Sequence, residues 1–139
     1  MNNSRSCLIE KYEKCCYIAY IDNHKLIIHA GKQNVNLDTL LLEHQMKTAC
    51  FITAWNPFSK VRPHYKNSCL NFLLFCELKL LSRPIFHGVG ISIDEDYLEK
   101  SFLVLGLSKV ECTKLGEKYQ QNAFIFHEIH KRSQLIFLF

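Results

Sequence analysis

A small set of side chains in this 139-residue sequence joins recognition chemistry to positions near the ends of apolar runs. Thr53 and Ser101 offer hydroxyls, while Asn56, Asn67, Gln121 and Asn122 offer amides that both donate and accept hydrogen bonds. Glu99 offers a carboxylate suited to proton transfer, and Trp55 a flat ring on which a nucleic-acid base gains about 1–3 kcal/mol by stacking. Two chemistries fit. One is a binding module whose polar corner, floored by Trp55, holds a small polar or phosphorylated ligand or a short nucleic-acid segment. The other is a metal-independent hydrolase or transferase with Glu99 as catalytic acid or base and Thr53 or Asn56 orienting the substrate. A third reading, an interaction subunit, gives the same residues structural duties. Asn56 before Pro57 forms a turn, Thr53 fills a strand, Ser101 sits at a strand edge, and Gln121 and Asn122 tie a helix end to the next strand. Glu99 resists that reading most, since a carboxylate beside a buried strand costs about several kcal/mol unless solvated or paired.

Other chemistries find less support in the spacing. His127 and His130 straddle a strand end rather than share a helix face, and the remaining histidines are isolated, so no metal is expected. No glycine-rich phosphate loop lies near the Trp55 corner, and no cofactor is expected. Nucleophilic catalysis at Cys50 or Ser101 needs a base brought in by the fold, and His87 is the first partner to test. The seven cysteines include no C-x-x-C pair, and the first residues lack the pattern of a secretory signal; both features predict reduced thiols, most of them core residues, in a cytoplasmic protein. No apolar run reaches the roughly 20 residues that span a bilayer, so no membrane partner is expected. Seventeen Lys and Arg face 13 Asp and Glu in a spread excess that permits nucleic acid without forming a basic tract.

The elements that must position these groups follow from periodicity. Two β-rich runs around Asp22-Asn23 predict a hairpin over 17–30, and residues 1–14 a short helix or a loosely held terminus. Asn36 is expected to cap a helix over 37–46, followed by a buried strand over 49–55. A second helix over 63–81 carries Leu70, Leu73, Leu74, Leu78 and Leu81 at helical spacing as its core stripe. Strands over 85–93 and 101–107 flank an acidic turn at Asp94-Glu95-Asp96. Ser108 and Glu111 form a capping box opening a third helix to about residue 119, and strands over 123–128 and 134–139 close the chain. The predicted architecture is α+β: one domain over 1–139 with a single mixed, largely antiparallel sheet packed by about three helices.

Thr53-Ala54-Trp55-Asn56-Pro57, the run from Glu99 to Leu107 (E-K-S-F-L-V-L-G-L) and Tyr119-Gln120-Gln121-Asn122-Ala123, in this order and spacing, resemble the bacterial domain-of-unknown-function family 3293. The resemblance covers 17–139, leaving 1–16 as an N-terminal extension, and Asn67 matches an asparagine of the family. Asp94-Glu95-Asp96-Tyr97 stands where the pattern has a glycine-rich turn and a tryptophan, and Lys100 where it has a proline. The resemblance implies a bacterial origin and a candidate site, not a reaction.

Overall fold

A computed structural model of the chain describes residues 2–94 and 98–139. Its elements are α1 (Asn2–Glu13), β1 (Cys16–Ile21), β2 (His24–Ile28), α2 (Val35–Glu43), β3 (Thr48–Ile52), a 3-10 turn (Pro57–Ser59), α3 (His64–Leu80), β4 (Ile85–Ile91), β5 (Leu98–Leu105), α4 (Lys109–Lys118), β6 (Ala123–Glu128) and β7 (Gln134–Phe137). The class is α+β as expected, with α1 adding a fourth helix. The strands form one sheet in the order β2-β1-β4-β5-β3-β6-β7, and every neighbouring pair is antiparallel. Glu95, Asp96 and Tyr97 of the expected acidic turn lie outside the described residues.

Alternation along the strands sends successive side chains to opposite faces, so one sheet supports two cores. Ala19, Phe51, Leu103 and Ile125 meet Leu37, Leu40 and Leu41 of α2 on one face. Cys50, Ile52, Val104 and Phe124 meet Leu74 and Leu78 of α3 and Cys112 and Leu115 of α4 on the other. β3 and β5 are apolar on both sides because both their faces are covered.

The helix ends show where local chemistry acts. Asn34, not Asn36, caps α2: its side chain accepts the Leu37 N–H at 3.0 Å. Ser108 caps α4 by accepting from the Glu111 N–H at 3.1 Å. The inward row of α3 is Asn67, Asn71, Leu74 and Leu78, with Leu73 and Leu81 exposed, so the leucine stripe expected there is half right. Cys15, Cys50 and Cys112 are buried, whereas Cys7, Cys69 and Cys76 are exposed, which corrects the expectation that most thiols are core residues; all seven are free.

Gly88 holds the β1 and β4 backbones together. A Cβ there would lie 2.5 Å from the Ile18 carbonyl oxygen and 2.8 Å from the Phe51 ring, so only glycine fits that approach.

Candidate functional site

Where β3 leaves the sheet, the chain passes beneath the first half of α3, and its main-chain polar groups lose both sheet partners and water. The asparagine row of α3 replaces them. Asn71 accepts the Ala54 N–H at 2.8 Å and donates to the Lys100 carbonyl at 2.8 Å. Thr53 donates its hydroxyl to that same carbonyl at 2.6 Å and accepts the Trp55 N–H at 3.0 Å. Asn67 accepts the Asn56 N–H at 2.9 Å and donates to the Asn56 side-chain oxygen at 2.8 Å, which also accepts the Arg62 N–H at 3.0 Å. These amides are engaged by the fold itself, and each buried group so paired avoids a desolvation cost of about 1–3 kcal/mol.

The corner is strained as well as bonded. Asn56, Phe58 and Ser59 all have positive φ, at 47°, 54° and 58°. Asparagine tolerates this region, but for phenylalanine and serine it costs on the order of 1 kcal/mol or more each. The Phe58 N–H donates to the Gln120 carbonyl at 2.6 Å, holding the turn against the end of α4. Gln121 donates to the Trp55 and Tyr119 carbonyls, each at 3.2 Å, and Asn122 donates to the Ser59 hydroxyl at 2.9 Å. Tyr12 of α1 meets that same hydroxyl at 2.7 Å.

The expected site residues divide between the two faces. Thr53, Glu99, Ser101 and Gln121 converge with Tyr12 and Tyr17 on a small cavity of about 30 Å³, room for one or two waters. Ser101 donates to the Glu99 carbonyl at 3.1 Å. Burial raises the pKa values of Tyr12, Cys15 and Tyr17, and the nearby Glu99 charge raises all three further. Asn56, Asn67 and Asn122 lie outside this cavity, and Trp55 turns away from it toward the opposite face.

On that opposite face lies an open groove of about 600 Å³ between α3 and the strands it leaves uncovered, lined by Tyr20, Trp55, Phe72, Phe75, His87 and Lys100 among others. α3 and α4 cover β5, β3 and β6, while β4 meets α3 at its Ile85 and His87 positions and its Val89 lines the open groove with Tyr20 of β1. Phe75 stacks on His87 with ring centres 5.8 Å apart and planes 22° apart, and both rings contact Phe102. Phe72 is 64% exposed on the groove wall, whereas Trp55, 7% exposed, is edge-on to His64. Lys79 places its ammonium 5.7 Å above the Phe75 ring.

A further cleft of about 540 Å³ runs along the outer side of α3, beside Glu77, Lys118 and Tyr119. The Tyr119 hydroxyl and Lys118 both donate to the Glu77 carboxylate. Burial works to raise the Glu77 pKa, but those two hydrogen bonds outweigh it and the net shift is downward. Burial, and then the Glu77 charge, raises the Tyr119 pKa.

The sequence reading named Trp55 and His87 but missed Asn71, the groove rings of Tyr20, Phe72 and Phe75, and a polar triple on the α2 face. There His127 meets the Asp38 carboxylate at 2.7 Å through Nε2 and the Ser133 hydroxyl at 2.8 Å through Nδ1. Asp38 also accepts the His130 N–H at 3.1 Å. The order resembles a nucleophile, base and orienting acid, but His127 and Ser133 are sealed, at 1% and 0% exposure, so the triple ties α2 to β6 and the following turn. Among the described residues no group of His, Cys, Asp and Glu is arranged to hold a metal ion, and no helix is long and apolar enough to cross a membrane.

Residues 52–124 match the family model described as "Protein of unknown function (DUF3293)". The match is narrower than the expected 17–139 and leaves out the β1–β2 hairpin, α2 and β7. No curated protein and no solved structure matches the chain. The matched half contains the Thr53–Asn56 corner, the asparagine row of α3 and the α3 and β5 walls of the groove, and on that match the chain belongs to the DUF3293 family.

Proposed function

We propose that the protein is a binding module whose site is the aromatic groove, and that its ligand is a flat, anionic molecule of nucleotide size. The groove itself carries this reading: a concavity of about 600 Å³ walled by rings is the shape and chemistry that takes up a planar ligand. Lys79 and Lys100 set cations at its margin, and Phe72, His87 and Tyr20 present exposed rings for stacking. The corner at Thr53-Asn56 serves this site indirectly: it anchors α3 through Asn67 and Asn71 and so fixes the groove wall. Free thiols on an exposed helix face fit a reducing, cytoplasmic compartment. The reading with Glu99 as an acid or base has less to support it, since the cavity beside Glu99 has room for water and not for a substrate.

Trp55 is the single tryptophan and lines the groove, so its emission reports occupancy. Titration with uridine and adenosine monophosphates should change that emission saturably. His87→Ala should weaken binding about tenfold, the equivalent of one lost stacking contact. Saturable binding that survives unchanged in both His87→Ala and Lys100→Ala, with the fold intact, would place the site elsewhere.

A further inference from the structure

The groove continues across the sheet as an ordered row. Tyr20 on β1 pairs in register with Lys25 on β2, so the two side chains stand on the same face. β1 pairs with β4 up to Ala19 and Gly88, and one step further along that register sets Tyr20 beside His87. His87 in turn pairs with Phe102 on β5, and Phe75 of α3 lies over both. Reading across the strands therefore gives Lys25, Tyr20, His87 and the Phe75–Phe102 pair, with Lys79 above the last. Stackable rings occupy the middle and an ammonium stands at each end.

Length and charge decide what fits this row. Neighbouring strands are about 4.8 Å apart, so β2 to β5 covers about 14 Å before the reach of either lysine is added. One nucleotide stacked at the Phe75–Phe102 end of the groove, about 14 Å from β2, cannot also span to Lys25. Phosphates repeating along a chain can, with bases lying on the rings between them. The next row, Ile27, Ile18, Val89 and Lys100, adds a third cation on the same face.

Building on the groove reading above, we propose that the ligand is single-stranded nucleic acid, laid across β5, β4, β1 and β2 with its bases on Phe75, His87 and Tyr20 and its phosphates toward Lys79, Lys100 and Lys25. Stacking supplies affinity with little sequence preference, and the lysines make it salt-dependent. The competing occupant is an acidic, aromatic peptide, which the same rings and charges would suit.

The test compares uridine monophosphate, a short oligouridine, a short oligothymidine and a Glu- and Phe-rich peptide by Trp55 emission, in wild type and in Lys25→Glu. Lys25 is exposed and outside the groove, so melting should be unchanged and serves as the folding control. The expected result is an oligonucleotide affinity at least about tenfold above that of the mononucleotide. In Lys25→Glu the oligonucleotide should weaken, with the slope of log affinity against log salt shallower by about one, and should lose a larger factor in affinity than the mononucleotide does. Equal affinities for mononucleotide and oligonucleotide, unaffected by Lys25→Glu, would overturn the strand and leave the groove reading standing. Tighter binding of the peptide than of either oligonucleotide would make the partner a protein. Loss of every nucleotide signal would overturn the strand and the groove reading together.

Discussion

The two faces of the sheet are built from the same alternating strands and end in opposite conditions. On the α2 face a polar triple joins Asp38 to His127 and Ser133, the last two sealed within the protein, and the small cavity near Glu99 has room for water alone. On the α3 face the helices leave part of β4 and β1 open, and rings of Tyr20, Phe72 and His87 face solvent. Buried polar groups are retained when each is paired; exposed aromatic surface is not needed for folding. The difference separates residues that hold the molecule together from residues available to a ligand.

Removing the buried triple should cost most. His127→Ala leaves a cavity and takes a partner from both Asp38 and Ser133, and should lower unfolding free energy by about 3 kcal/mol or more in urea titration. An effect below about 1 kcal/mol would show that the α2 face is not held by this contact. Next comes the asparagine row. Asn71→Leu orphans the Ala54 N–H and leaves the Lys100 carbonyl with the Thr53 hydroxyl alone, and should cost about 2 kcal/mol, with Asn67→Leu close behind.

Alkaline pH probes the α1 end of the α2 face. Burial, with a smaller contribution from the Glu99 charge, keeps the folded-state pKa values of Tyr12, Tyr17 and Cys15 above their ordinary 10.0, 10.0 and 9.0. In each case the folded state holds its proton longer than the unfolded chain. Stability from these groups is complete below about pH 9 and falls as pH rises through 9–10 and beyond. Tyr17→Phe removes one of these protons and should make the alkaline decline of melting temperature shallower. Glu99→Gln removes a charge that adds to the upward shifts, so the folded-state pKa values fall back toward the unfolded ones, and the decline should keep its onset but be smaller in total. The smallest stability effect is expected on the open face, where Phe72→Ala should stay within about 0.5 kcal/mol of wild type while weakening nucleotide binding.

Strand and helix positions were legible because apolar spacing is local, and the Ser108 cap because Glu111 lies one turn away. Asn71 was not, because hydrophobic periodicity registers leucines, whereas the inward row of α3 begins with amides that serve another segment's backbone. The triple joins Asp38 to a histidine 89 residues later, a pairing fixed only by the strand order. The same order made the groove unreadable: Tyr20 and His87 meet because β1 inserts beside β4 rather than beside β3. Thr53, Asn56, Glu99 and Gln121 were expected together; Thr53, Glu99 and Gln121 converge, on a cavity opposite the groove, and Asn56 lies outside it.

The close approach at Gly88 sets how the sheet comes apart. In the strand order the β1–β2 hairpin joins the rest of the sheet through one seam, residues 16–19 against 88–91. Its amides should therefore exchange with deuterium as a single block, earlier than those of β3 and β5, whose pairings lie between covered faces. A molecule bound over Tyr20 and His87 crosses that seam and would slow the exchange of the whole hairpin, including β2 amides it never touches.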